Sequence, residues 1–172
     1  MSDEYTENFE QQINYINLIA YFLANFRKIL KPEDFTSKLQ SKITEITDTP
    51  EQQTTKPTQE TFPGERGYSF VFKEDSTFNG CFDVDFINGA LAHFRAQLFA
   101  GGLLSTLKIQ RKYNSALKFI DGNYRPADDE LFIHDYDRVW YDEVRKLVIA
   151  IRKVKDGPRQ CISLSIVDER YA

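Results

Sequence analysis

The sequence has few of the residues that usually build a metal centre or a covalent catalytic site. It contains two cysteines and two histidines. Cys81 and Cys161 do not form a Cys-x-x-Cys pair, and His93 and His134 are not placed at metal-ligand spacing. We therefore expect no metal and no other cofactor. Two cysteines in a chain that shows no signal peptide are expected to be free thiols rather than a disulfide.

Long apolar runs are also missing. The longest run, around residues 18–26, is far shorter than the roughly 20 residues that a helix needs to span a bilayer. The N-terminal sequence MSDEYTENFE is acidic, whereas targeting segments are basic or apolar. These features predict a soluble, cytoplasmic protein that does not enter a membrane.

An excess of basic charge is the third absence. The net charge is −4, and residues 1–66 carry all of it, since residues 67–172 contain 15 acidic and 15 basic side chains. A domain that binds nucleic acid usually has a dominant basic field. The composition therefore argues against nucleic acid as the main partner, although local basic patches remain open.

The N-terminal part of the chain predicts a helical hairpin at residues 4–31 and 33–47. Apolar residues recur with a seven-residue period over about three heptads, the lower limit for a coiled-coil seam. Pro32 ends the first helix and suits the first turn of the second. The residues of this seam that we regard as interaction candidates are Phe9, Ile16, Ile19, Leu23, Phe26 and Leu30.

A polar segment rich in Pro, Thr and Gln separates this hairpin from the remaining chain. Its composition is typical of a flexible linker, so we divide the chain into a hairpin at 1–47, a linker at 48–66 and a sheet domain at 67–172. The apolar surface of the first helix is wider than the hairpin can cover. Either the sheet domain covers it, or it docks to another molecule.

The region after residue 67 predicts an antiparallel sheet with one packed helix, and the whole chain an α+β fold. Alternating aromatic and polar residues indicate one hairpin over residues 68–86 and a second over 147–167. Residues 90–99 favour a helix capped by Asn88, with an Asn-Gly hairpin turn as the alternative. Residues 103–110, 116–120 and 131–136 are expected as strands, and residues 137–155 suit either a helix or strands. We expect roughly five to seven strands.

Two Asp-x-Asp pairs are the best candidates for chemistry. Asp83 and Asp85 lie on one predicted strand, and Asp135 and Asp137 lie on another. If these strands were neighbours, the four carboxylates could bind Mg²⁺ or Mn²⁺ for phosphoryl or nucleotidyl transfer. The more common explanation is a polar outer face of a sheet, and we do not expect catalysis.

Basic and aromatic residues suggest two other surfaces. The basic residues that could contact nucleic acid are Lys108, Arg111, Lys112, Arg145, Lys146, Arg152, Lys153, Lys155 and Arg159. Because residues 67–172 have no net charge, the better interpretation is an ordinary charged face paired with nearby acidic residues. Trp140 and Tyr141 are of the types enriched at interfaces, although a lone Trp is more often part of a core.

Together these patterns favour a non-catalytic adaptor or assembly subunit that binds a protein partner, or a second copy of itself, through its N-terminal hairpin. The first alternative is a nucleic-acid-binding module that uses the basic residues of 145–159. The second is a metal-dependent enzyme acting at the Asp-x-Asp pairs. The spatial distance between those two pairs separates the enzyme from the other two hypotheses.

Overall fold

The computed structural model describes residues 14–39, 43–45, 64–74, 77–127, 135–156 and 159–171. Within them, helices near the N-terminus and one later helix pack on an antiparallel sheet, which confirms the α+β class. Phe9 and nearly all of the Pro/Thr/Gln segment lie outside the described residues.

Three α-helices and eight strands occur in the described part of the chain. The helices are α1 (Tyr15–Asn25), which continues into a 3-10 turn (Phe26–Lys28), α2 (Glu33–Leu39) and α3 (Ser105–Asp121). The strands are β1 (Ile43–Glu45), β2 (Glu65–Lys73), β3 (Phe78–Ile87), β4 (Ala90–Ala100), β5 (Arg125–Pro126), β6 (Arg138–Asp142), β7 (Leu147–Asp156) and β8 (Arg159–Asp168). A final 3-10 turn covers Glu169–Tyr171.

The strands form one sheet in the order β1-β2-β3-β4-β8-β7-β6-β5, and every neighbouring pair is antiparallel. The consecutive strands β2, β3 and β4 form one half, and β6, β7 and β8 form the other. The two halves join where β4 pairs with β8, for example at Phe94 opposite Ile166. The helix α3 connects them in the sequence.

The helix α1 begins at a side-chain cap and packs on the centre of the sheet. The Asn14 side chain accepts a hydrogen bond from the backbone N–H of Asn17 at 2.8 Å. The ring of Phe22 stacks on Phe94 of β4 with centroids 4.0 Å apart. The Tyr15 hydroxyl donates to the carbonyl of Ala96 at 2.9 Å. These contacts place the apolar face of α1 directly against β4.

The helix α3 replaces the two strands expected at residues 103–110 and 116–120. Its buried residues, Ile109, Tyr113, Ala116 and Ile120, recur at intervals of four, three and four, which is the period of a helix. The expectation of strands was wrong because the short apolar runs were considered separately. Taken together, they form one stripe that faces the sheet.

The strand β4 replaces the helix favoured at residues 90–99. The preceding Asn88 and Gly89 have φ of 52° and 80°, so they form a tight turn between β3 and β4. In β4, Phe94, Ala96 and Leu98 are buried on one face, and the intervening residues lie on the other. The helix prediction was wrong because its alanine content outweighed this two-residue period.

The other sequence predictions have mixed outcomes. The hairpins at 68–86 and 147–167 are confirmed as β2–β3 and β7–β8. The ambiguous segment 137–155 forms β6, a turn and most of β7. The second N-terminal helix was expected to reach residue 47, but α2 ends at Leu39 and Ile43–Glu45 pairs with β2 instead. Most of the strand expected at 131–136 lies outside the described residues.

The sheet has two different faces. The described helices cover the face that contains Phe82, Phe94, Leu164 and Ile149, which belong to one hydrophobic core with α1 and α3. Because side chains alternate along a strand, the residues between them project to the opposite face, which we call the open face. The name means only that the described helices lie on the other face, since Ser163 and Ser165 of the open face are 1% and 3% exposed. The hairpin and the sheet were expected as separate units, and in the described residues they share this core.

The register of β2 and β3 can be tested with one added methyl group. Gly80 lies opposite Phe72, and a Cβ at Gly80 would come within 2.2 Å of the buried Phe72 ring. We expect Gly80→Ala to lower the free energy of unfolding by about 1–3 kcal/mol through overpacking. The control is Gly101→Ala, since a Cβ there meets nothing within 4 Å. Equal urea-unfolding curves for the two variants would contradict this packing.

Candidate functional site

The N-terminal interaction candidates are mostly covered by the protein's own sheet. Ile19, Leu23 and Phe26 are buried, and the half-buried Ile16 packs against the same core. Leu30 is the exception, with 57% of its surface exposed. The sequence left open whether the sheet domain or another molecule covers the wide apolar surface of the first helix, and it favoured docking. In the described residues the sheet covers this surface.

Polar contacts fix the end of α1 to the turn between β6 and β7. The Arg145 guanidinium donates to the carbonyl of Leu23, and its Nε donates to Asp142 at 2.7 Å. In return, Arg27 donates to the carbonyl of Arg145 and forms an ion pair with Asp168. Burial acts to raise the pKa of Asp168, but hydrogen bonds from Arg170 and the charge of Arg27 hold it below its usual value. Arg145 therefore has a structural role.

Trp140 and Tyr141 are positioned differently from each other. Trp140 is fully buried, and its indole N–H donates to Asp121 at the end of α3 at 2.8 Å. It is a core residue and offers no accessible anchor. Tyr141 is half-buried, and its hydroxyl donates to Glu169 at 2.6 Å. This hydrogen bond raises the pKa of Tyr141 to about 12.

The two Asp-x-Asp pairs do not come together. Asp83 and Asp85 lie on the open face of β3, where they contact Ser69 at 2.5 Å and His93 at 3.2 Å. Asp137 accepts hydrogen bonds from Tyr113 of α3 and from the backbone of β7. Since β3 and β6 are four strand positions apart, the pairs are separated by about 19 Å. Asp135 lies exposed in the turn before β6.

The basic candidates are spread over several surfaces. Lys108, Arg111 and Lys112 lie on α3, whereas Arg145 and Lys146 precede β7, and Lys155 and Arg159 lie near its other end. Arg152 and Lys153 are neighbours in β7 and therefore project to opposite faces. Several of these cations already have contacts within the protein. Lys112 pairs with Glu74, and Lys153 lies 4.8 Å from the centre of the Tyr113 ring. The structure does not gather them into one basic patch.

A surface that the sequence analysis missed lies on α3. Leu103, before the helix, is fully exposed, and Leu104 and Leu107 are 56% and 48% exposed. Helical geometry aligns Leu104 and Leu107 with three further exposed residues of α3, on the side away from the sheet. We call this row the outer stripe, and its members are Leu104, Leu107, Arg111, Asn114 and Lys118. The three- and four-residue spacing of leucines in GGLLSTL was the signal that could have revealed it.

Comparisons with known proteins do not extend this picture. No protein-family model matches the chain, and no curated protein or solved structure is significantly similar to it. None of the described helices is long and apolar enough to cross a membrane. Among the described residues, no group of three His, Cys, Asp or Glu side chains is placed to hold a metal ion.

The separation of the carboxylate pairs leads to a direct prediction. We expect 5 mM Mg²⁺ or Mn²⁺ to leave the melting temperature unchanged. A stable site for these ions needs about six oxygen ligands, and one Asp-x-Asp pair supplies fewer than that. Differential scanning calorimetry of the native chain and of Asp83→Asn/Asp85→Asn measures this. A rise with metal in the native chain that the double variant loses would contradict the prediction.

Proposed function

We propose that this protein is a non-catalytic interaction module, an adaptor or assembly subunit, that binds a partner protein through the outer stripe of α3. The observation that carries the proposal is the exposure of Leu103, Leu104 and Leu107 within five consecutive positions. Single exposed leucines are ordinary, whereas a contiguous group at a helix surface is typical of a binding site.

The leucines provide the apolar part of the proposed contact. Leu104 and Leu107 are separated by about one helical turn, so a partner could bury both with one face of a helix. Full burial of a leucine side chain contributes about 1.5–3 kcal/mol. Because association costs about 4–15 kcal/mol, the leucines can form the centre of a small interface only together with the polar contacts around them.

The cations provide the polar part and indicate the chemistry of the partner. The side chains of Arg111 and Lys118 project from the outer stripe without a hydrogen bond or ion pair in the described part of the chain. A carboxylate of the partner could therefore approach them without displacing an internal acid. The occupant that fits is an amphipathic helix with apolar residues toward one end and acidic residues along the same face.

A protein partner fits this surface better than an anionic membrane does. Each basic side chain near a charged bilayer contributes about 1 kcal/mol, and the outer stripe contains only Arg111 and Lys118. The region 67–172 has no net charge to add to that attraction. Stable membrane binding by two cations and a small apolar patch is therefore not expected.

This proposal keeps the function expected from the sequence and changes the surface. The N-terminal hairpin was expected to dock the partner or a second copy, but Ile19, Leu23 and Phe26 have their apolar surface against the sheet. The outer stripe has no such cover among the described residues. A cytoplasmic location remains part of the proposal and fits the absence of a disulfide at Cys81 and Cys161.

The test uses a labelled synthetic amphipathic helix with two leucines and glutamates on one face. In fluorescence anisotropy, we expect Arg111→Glu/Lys118→Glu and Leu104→Ser/Leu107→Ser each to weaken binding at least about tenfold, a loss near 1.4 kcal/mol. The control Lys28→Glu/Lys38→Glu reverses two other exposed charges and is expected to bind like the native chain. A lysine version of the peptide is expected not to bind.

Three outcomes would overturn the proposal. The first is equal binding of the peptide by all variants, and the second is equal binding of the acidic and the basic peptide. The third is a different occupant. If the occupant is a second copy of the chain, light scattering will show a native dimer that Leu104→Ser/Leu107→Ser dissociates. If the occupant is a membrane, the protein will sediment with anionic vesicles.

A further inference from the structure

We infer that the open face of the sheet contains a binding site for an oxyanion, either a phosphate or a carboxylate group, between Arg95 of β4 and Arg152 of β7. The strand β8 lies between these two strands and contributes Ser163 and Ser165 to the floor of the site. This surface is on the other side of the sheet from α3, so the inference does not depend on the proposed interaction through the outer stripe.

The strand register brings the two arginines to one place. Arg95 lies opposite Ser165, and Arg152 lies opposite Ser163, two residues away along β8. Two strand spacings and two residue rises put the Cα atoms of the arginines roughly 12 Å apart. Each arginine side chain extends about half that distance. Both guanidinium groups can therefore reach one anion placed above β8.

Two buried polar atoms at this position have no partner. Among the described residues, the Arg152 Nε and the Ser163 Oγ are the buried side-chain nitrogen and oxygen atoms that make no hydrogen bond. Ser163 is only 1% exposed. A buried polar group without a partner destabilises a fold by about 1–3 kcal/mol, so such groups usually have a purpose. The Arg152 Nε can only donate, and an oxyanion supplies the acceptor that both groups lack.

The acidic residues of the open face are already engaged elsewhere. Asp83 is the residue opposite Arg95, yet its hydrogen bond comes from Ser69 at 2.5 Å. Asp85 contacts His93 at 3.2 Å. In the described part of the chain, neither Arg95 nor Arg152 forms an ion pair with a carboxylate. Among the described residues, the two guanidinium groups of the site therefore have no carboxylate partner, and Asp83 weakens the positive potential on one side.

An aromatic residue holds Arg152 in place. The Arg152 guanidinium lies 5.4 Å from the centre of the Tyr136 ring, and the Tyr136 hydroxyl is hydrogen-bonded to Ser165 at 3.0 Å. A cation–π contact of this kind restricts the positions that a guanidinium can take. A restricted guanidinium loses less entropy when it binds a planar or tetrahedral oxyanion bidentately.

The surroundings favour a small group over an extended polyanion. Along the strands, the polar strip is bounded by Phe99 and Val154 toward one end and by Val148 and Val167 toward the other. A nucleic-acid backbone would need further cations along its path, and these residues do not supply them. One phosphate or carboxylate fits the strip. It could be a free anion or a group carried by a larger molecule.

The test measures the melting temperature with phosphate at constant ionic strength, using chloride as the reference. With phosphate at ten times its dissociation constant, we expect a rise of about 3–5 °C in the native chain. Arg95→Gln and Arg152→Gln are expected to lose most of this rise. The matched control, Arg66→Gln, removes an exposed arginine from β2 and is expected to keep it.

A second measurement separates the site from a general effect on stability. In proton–nitrogen correlation spectra, the Nε–H signal of Arg152 is expected to shift as phosphate or acetate is added, and to saturate. The same titration with a phosphoserine hexapeptide distinguishes the two sources. Affinity equal to that of free phosphate assigns a free anion, and affinity at least about tenfold higher assigns a group on a larger molecule.

The inference is overturned by either of two results. One is the absence of any change in melting temperature and in the Arg152 signal with all three anions up to 50 mM. The other is a rise in melting temperature of the same size in Arg95→Gln, Arg152→Gln and the control, which would identify a general salt effect on the folded protein.

Discussion

The stacking of Phe22 in α1 on Phe94 in β4 is the contact on which the rest of the structure depends. The two rings are 4.0 Å apart and within 15° of parallel, and Phe94 lies in the middle of the sheet, where β4 pairs with β8. Tyr15 fixes the same helix to the carbonyl of Ala96. With α1 in this position, the inner face of the central strands is shielded from water. Without it, the aromatic rings of three strands, including Phe82, would lose their cover.

This packing decides which surfaces remain for binding. One face of the sheet is used for the core, and the N-terminal helices are used to close it. Within the described part of the chain, the surfaces that we propose for binding are the outward side of α3, with its leucines and cations, and the open face, with Arg95 and Arg152. The two surfaces differ in chemistry, since the first combines apolar and basic groups and the second is polar and narrow. The two proposals therefore assign unlike partners to separate surfaces of the molecule, where they would not compete.

The sequence predicted hairpins between consecutive strands better than it predicted contacts between elements that are far apart in the chain. The β7–β8 hairpin was predictable, because apolar residues alternate in both strands, such as Ile149 and Ile151 in β7 and Ile162 and Leu164 in β8. β4 was not, since alanine and leucine suit a helix as well as a strand, and residues 101–158 separate it from its partner β8 in the sequence. The long separation of contacting residues in the sequence also explains why the partner of the first helix was not predicted. The sequence showed that α1 needed a cover, but only the sheet topology shows that Phe94 and its neighbours supply it.

Native-state hydrogen exchange on the full chain tests this account most directly. If α1 closes the core within its own molecule, the amides of Tyr15–Asn25 will exchange nearly as slowly as those of β4 and β8, because all of them open only with the whole fold. The protection will also be independent of protein concentration. Fast exchange in α1 beside a protected sheet, or protection of α1 that disappears on dilution, would contradict it.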